Sequence, residues 1–423
     1  MELVPRHLSE RLVELLQFSP VVVVEGARQV GKSTLAAMLA DAGDAMQVTM
    51  DDPLARQLAR EDPVGFLQQA GERRIIIDEV QRTPELVLPL KYIVDVDPRP
   101  GRFILTGSAN LLRVPGAEDS LAGRALTLRL HPFSQGEMEQ RRDDWVTFVT
   151  GVSELPPVGD RVELVQRVAK GGYPRVQQLS ESSRQIWLRD YVDRLLERDS
   201  ADLGTLQVPV LRRLLGLIMS SAGGELVQER FAEALGISRP TVRRYLDILE
   251  SLFLVRLIPA WSRSLTRRQV GRPKIQVTDS GLAAAHLGLG AEHLSTMSGA
   301  EHFGMLLECF VVNELLRQQG WSATTFELSH YRDRHGGEVD LIIETPMGII
   351  AVEVKAAISP TQAHFKHLIT LRERLGDEFL AGVVLNSATS ARAGDRLWAL
   401  PVASLWETGG NQKDETGKLS PDA

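Results

Sequence analysis

Apolar and polar positions alternate between two rhythms along the first third of the chain. Short, nearly continuous apolar runs stand at "VVVVE" (Val21 to Glu25), "RRIIIDEV" (Arg73 to Val80), "RFILTGSAN" (Arg102 to Asn110) and "ALTLRLHPF" (Ala125 to Phe133). Helix-like segments separate them. Continuous runs suit strands buried on both faces, so the pattern predicts a parallel sheet covered by helices. From about Trp145 to Leu206 the rhythm becomes helical and amphipathic, interrupted by "GGYPRV" at 171–176. Residues 211–258 then show three helical stretches joined by short glycine-containing turns. Leu226, Phe231, Leu235, Ile237, Val242, Leu246 and Leu249 are placed to make one small core, the rhythm of a helix-turn-helix. A strand and a helix return at 274–288. A third α/β pattern, of helix, strand, hairpin, helix and strand, runs from about Ser298 to Leu400.

These changes of pattern predict five segments: an α/β domain at 1–144, a helical lid at 145–205, a winged-helix-like module at 206–285, a second α/β domain at 286–406 and a polar, disordered tail at 407–423. A length of 423 residues suits several cores rather than one. The net charge of −7 excludes a globally basic nucleic-acid binder, so such contact requires a local patch. Cys309 is the single cysteine, which excludes an intrachain disulfide and a cysteine-based zinc site. The opening "MELVPRHLSERLVELL" lacks the apolar core of a signal peptide. No stretch approaches the roughly 20 apolar residues of a membrane span. The expectation is a cytoplasmic protein with no membrane contact.

"GARQVGKST" satisfies G-x-x-x-x-G-K-[ST] between a predicted strand and a predicted helix, the context that motif requires. Gly26, Ala27, Arg28, Gln29, Val30, Gly31, Lys32, Ser33 and Thr34 form the predicted phosphate cradle. Its glycines permit backbone angles that turn successive N–H groups toward a phosphate at a helix N-terminus. Lys32 is placed to reach the β and γ phosphates, and Ser33 to put its hydroxyl on Mg²⁺. "IIIDEV" supplies Asp78 as the magnesium-side carboxylate and Glu79 as the group that polarises the attacking water. "LTGSAN" offers Asn110 or Ser108 as a γ-phosphate sensor at the carboxyl edge of the sheet. Arg124 and Arg113 compete as an arginine acting in trans, which would require a homo-oligomer.

The order "GARQVGKST", "IIIDEVQ", "ILTGSAN", "LAGRALTLRLHPFS", "GGYP" resembles a large prokaryotic family of AAA-type P-loop ATPases. In that family the ATPase is joined to a C-terminal domain of undetermined role. The resemblance covers nearly the whole chain. It implies ATP binding, slow hydrolysis and an ATPase core with AAA features.

Two further constellations bear on partners. In "FAEALGISRPTVRRYLDILE", Ser238 caps a helix whose start exposes Arg239, Thr241, Arg243 and Arg244. Arg263, Arg267, Arg268, Arg272 and Lys274 follow as a basic wing, so DNA is the expected partner. In "GGEVDLIIETPMGIIAVEVKA", strand alternation puts Glu353 and Lys355 on one face, and the hairpin can bring Asp340 beside Glu353. Such carboxylates suit a second divalent ion, Mg²⁺ or Mn²⁺. Glu308, in an apolar helical run, needs a metal or a cationic partner to offset its burial.

Together Glu308, "EVD" at 338–340 and "EVK" at 353–355 resemble the restriction-endonuclease-like fold with its D-(x)n-E-x-K signature, although Val339 stands where that signature usually has proline. The resemblance implies metal ligation by Asp340 and Glu353, water orientation by Lys355 and support by Glu308. The same cluster can instead stabilise an inherited fold by charge pairing. The chain then reads either as an ATPase coupled to DNA binding or processing, or as a nucleotide-dependent switch with an inactive C-terminal domain.

Overall fold

The computed structural model describes residues 3–40, 45–108, 121–201, 207–264, 266, 268, 271–333 and 336–407. Asn110, Arg113, Arg267 and the predicted tail beyond Glu407 lie outside them. The chain divides into two compact units, Met1–Phe133 and Ser134–Ala423. The first ends before the boundary expected at 144. The segments predicted as lid, wing and second α/β domain share the second unit.

In the first unit, β1 (Val21–Glu25), β2 (Ala45–Thr49), β3 (Arg74–Asp78), β4 (Phe103–Gly107) and β5 (Ala125–Arg129) form one sheet in the order β2-β3-β4-β1-β5. Every pairing is parallel. All residues of β1 and β4 are buried, which is why their sequences read as unbroken apolar runs. The edge strand β2, "AMQVT", is half-exposed and has no such run, so the apolar pattern does not announce it. Val21, Val23, Ile75, Ile77, Phe103 and Leu105 belong to one core beneath the sheet. With Glu25 level with Gly107 and Ile77 level with Leu105, the carboxyl ends of β1, β3 and β4 finish side by side. That edge carries the loop after β1, the Asp78–Glu79 pair and Ser108.

The second unit opens with a short helix, Gln135–Glu139, and then has helices Trp145–Thr150, Arg161–Lys170 and Glu181–Ala201, where the amphipathic rhythm predicts them. Three more follow, Val208–Met219, Gln228–Leu235 and Arg239–Ser251. Gly236, at φ 66°, closes the second of these, and Ser238 caps the third by accepting from Thr241 N. Val242, Leu246 and Leu249 are buried, as predicted, whereas Ile237 is only partly so. An antiparallel pair follows, β6 (Val255–Ile258) with β7 (Lys274–Val277).

The "GGYP" turn is a packing device. Gly171 has φ +69°, and a Cβ there would collide with the Asp279 carboxylate. Gly172 N donates to Asp279 Oδ2 at 2.7 Å, and Asp279 also caps helix Ser280–Leu287. Tyr173 is fully buried behind it.

The long helix Ala300–Gln318 precedes a six-stranded mixed sheet in the order β12-β13-β11-β10-β9-β8. Its strands are β8 (Glu327–Arg332), β9 (Glu338–Thr345), β10 (Gly348–Val354), β11 (Phe379–Asn386), β12 (Ala391–Gly394) and β13 (Leu397–Pro401). The β9–β10 hairpin turns at Pro346 and Met347, with Thr345 opposite Gly348. Helix Lys366–Leu375 packs its Leu368 and Leu371 into the core of this sheet. The β12–β13 pair at the end was not part of the predicted pattern. The Cys309 thiol is buried and donates to Val277 O at 3.0 Å. Among the described residues, no helix is long and apolar enough to cross a membrane.

Candidate functional site

The loop after β1 folds as its glycines predict. Gly26 has φ +153° and Gly31 φ +98°, and a Cβ on Gly26 would run into the Leu130 carbonyl. Gln29, at φ 65°, takes a left-handed conformation without being glycine. The loop leads directly into helix Lys32–Ala40, so unsatisfied N–H groups and the positive helix end converge there. Lys32 is buried, and its Nζ donates to the loop's own Gly26 O at 2.9 Å and Ala27 O at 2.8 Å. Burial lowers its pKa to about 8; Arg28 adds to that effect, while Glu79 and Asp78 oppose it.

Arg6 braces the loop from the amino-terminal segment. It donates to Val30 O at 2.7 Å and His131 O at 2.6 Å, and its guanidinium stacks over Phe133 at 4.8 Å. Nothing near Arg6 in sequence marks this role, because its partners lie 24 and 125 residues away.

Asp78 ends β3 beside the loop. Ser33 Oγ donates to both its oxygens, at 2.9 and 3.0 Å, and the Thr106 hydroxyl from β4 donates as well. Glu79 follows with φ 54° and ψ 42°, a left-handed geometry that a side chain rarely adopts. That turn directs its carboxylate away from Asp78 and onto the Gln81 amide and Ser108 Oγ, the latter at 3.3 Å. Arg28 Nη1 stands 4.0 Å from Glu79 Oε2. Ser108 therefore sits at this site, with Asn110 outside the described residues. Gln81 and Thr106 are additions that the motifs did not identify. A hydroxyl and a carboxylate already in contact form an oxygen donor set suited to Mg²⁺ held jointly with phosphate.

Arg124 is not brought to this edge. It precedes β5, whose Ala125 is level with Val21, so it stands at the opposite end of the sheet from Glu25. Its guanidinium makes a two-pronged contact with Asp95, Nη2 lying 3.0 Å from Oδ2.

In the second unit the structure does assemble Glu308, Asp340, Glu353 and Lys355. Asp340 Oδ2 accepts from Val354 N at 2.9 Å, locking the two strands of the hairpin together. Lys355 Nζ lies 2.6 Å from Glu353 Oε1 and 3.8 Å from Asp340 Oδ2.

A fifth group enters from an unexpected direction. Lys274, assigned by sequence to a solvent-facing basic wing, is only 2% exposed. Its Nζ lies 3.0 Å from Glu308 Oε1, 3.1 Å from Glu338 Oε1 and 3.3 Å from Asp340 Oδ1. Gln276 Nε2 also approaches Glu308 Oε1, at 3.3 Å. Burial, and then the Asp340 charge, push the Glu308 carboxyl up to about 8 against the pull of Lys274. The same two causes raise Glu353 to about 7. Burial would lower Lys274, but Glu308, Asp340 and Glu338 outweigh it and hold the amine charged.

One further member of the predicted wing also turns inward. Arg268 spans both oxygens of Glu344 in β9, the longer contact at 2.9 Å, and stacks on Trp261. Arg263 pairs with Glu378 at 3.1 Å. His330 contacts Arg272 O at 3.0 Å through Nε2, a structural role. Arg272, Arg243 and Arg244 keep exposed positions.

Residues 18–139 match the family model described as an AAA domain. The β2-β3-β4-β1-β5 parallel sheet, its glycine loop and this match together define a P-loop ATPase-like AAA domain. Residues 161–293 and 303–405 match two further models, each described as a domain of unknown function (DUF8612 and DUF4143). Uncharacterized proteins of Mycobacterium bovis and Mycobacterium tuberculosis are each 28% identical over 410 residues, covering 96% of this chain and 85% of theirs. Among solved structures, a Walker-type ATPase of Pyrococcus abyssi is 15% identical with a TM-score of 0.43, covering 68% of this chain and 96% of that one. A RuvB variant of Thermotoga maritima is 18% identical with a TM-score of 0.29, covering 67% and 94%.

Proposed function

We propose that the protein binds and hydrolyses ATP and uses its nucleotide state to control a partner-binding surface on the second unit, with DNA as the partner. The observation that carries the first part is the junction of Lys32, Ser33, Asp78 and Glu79 at one sheet edge. The loop N–H groups and the Lys32 ammonium would hold the triphosphate. Mg²⁺, when bound, would be held by Ser33 and Asp78 and would neutralise charge on the β and γ oxygens. Glu79, oriented by Gln81 and Ser108, would align the attacking water and accept its proton. Titration calorimetry tests binding. Lys32→Ala is expected to weaken ATP by about 10- to 100-fold, the worth of a charge-assisted contact. Equal affinity in wild type and variant would overturn the assignment.

The depressed pKa of Lys32 gives this binding a pH signature. Free protein loses the Lys32 proton as pH rises through about 8. A polyphosphate selects the charged amine, so ATP binding should take up a proton above that pH and weaken as pH climbs from 7 to 9. Calorimetry in two buffers of different ionisation enthalpy reads the uptake directly. Lys32→Arg, which cannot lose its proton in this range, should abolish it.

For DNA, support comes from the exposed start of helix Arg239–Ser251, where Arg243 and Arg244 stand after the Ser238 cap, as on the recognition helix of a winged-helix module. The inward pairing of Arg268 and Lys274 narrows that support to the helix together with the exposed Arg263 and Arg272. Binding measured at several salt concentrations should lose affinity in Arg243→Ala with a shallower salt slope, by about one unit per phosphate contact removed. An unchanged slope favours a protein partner, the switch or scaffold reading.

A further inference from the structure

The carboxylates that resemble a nuclease metal site do not suit a divalent cation as they stand, because a cation from the chain itself is already among them. We propose that Lys274 is a resident counter-ion that replaces the metal, leaving the nuclease-like cluster a closed charge network without metal-dependent phosphodiester cleavage.

Two observations support this. The Lys274 ammonium is shared by three carboxylates, Glu308 from helix Ala300–Gln318 and Glu338 and Asp340 from β9, all within 3.3 Å. Asp340 is the carboxylate that metal ligation would require, and its second oxygen is already engaged by Val354 N and approached by Lys355. A divalent ion placed there would face two ammonium groups across a desolvated gap.

The backbone prevents Lys274 from simply leaving. Its residue is paired with Ile258 in the β6–β7 sheet and bridged to Glu225 on the other side. Its neighbour on the same strand face, Gln276, is 1% exposed. Lys355, by contrast, keeps a third of its side chain in solvent. Among the described residues, no group of three or more His, Cys, Asp or Glu side chains is arranged to hold a metal ion.

The test is Mn²⁺ binding to the full chain without nucleotide, read from the loss of the free-ion electron paramagnetic resonance signal. Wild type should show no Mn²⁺ site that depends on Asp340. Lys274→Met should gain one, about tenfold tighter or more than any wild-type binding, and lose it again in Lys274→Met/Asp340→Asn. A wild-type Mn²⁺ site that disappears in Asp340→Asn overturns the proposal, and that measurement needs no Lys274 variant to fold. So does a folded Lys274→Met, by circular dichroism, that acquires no site. Wild-type plasmid nicking with Mn²⁺ that Asp340→Asn abolishes would overturn it as well.

Discussion

With Glu79 changed to Gln, ATP should remain bound while its hydrolysis falls by about 100- to 10,000-fold, the range a positioned general base supplies. The substitution keeps the shape and hydrogen-bonding capacity of the side chain. It leaves an oxygen to accept from Gln81 and Ser108, and removes the carboxylate charge that faces Arg28 together with the ability to accept a proton. Glu79 accepts from Gln81 and Ser108 whereas Asp78 accepts from Ser33 and Thr106, so the two carboxylates keep separate sets of partners. That separation is why hydrolysis and binding should part company in this variant. Filter retention of ATP together with phosphate release measures both. Turnover close to wild type would show that another group activates water.

Lys274→Met should destabilise the second unit by about 3–5 kcal/mol, because deleting one partner of a buried ion cluster strands the others. Glu338 and Asp340 would then repel each other with no ammonium between them, and Glu308, already pushed up to about 8, would stay protonated without its charged partner. Adding Asp340→Asn should recover part of the loss, since it removes one stranded charge and keeps an oxygen to accept from Val354 N. Denaturant melts of the two variants give the comparison, and the first unit should unfold as in wild type. A Lys274→Met protein as stable as wild type would mean that the three carboxylates take up protons at little cost.

The sheet edge that carries the glycine loop was largely legible in the sequence because its pattern is local. A glycine loop between strand and helix, and a carboxylate pair ending an apolar run, each declare themselves within ten residues. What stayed hidden came from distant strands. Thr106 reaches Asp78 only because β3 and β4 are neighbours in the sheet, and Arg6 reaches the loop only through the fold. Strand β2 escaped notice because an edge strand needs only one apolar face.

The carboxylate cluster shows the opposite error. Alternation correctly put Glu353 and Lys355 on one face and Asp340 across from them. The four arginines before "KIQV" made Lys274 look like the last member of an exposed basic wing. Both faces of that short strand are in fact covered. Periodicity shows which residues share a face; it does not show what stands opposite that face.

The lone thiol has a practical consequence. Burial pushes Cys309 up to about 12, and its proton is committed to Val277 O, so it should ignore maleimides at neutral pH. A cysteine engineered onto the surface of each unit should then be the only reactive handle on the native background. Donor and acceptor dyes attached there would let single molecules report how the spacing between the halves responds to nucleotide.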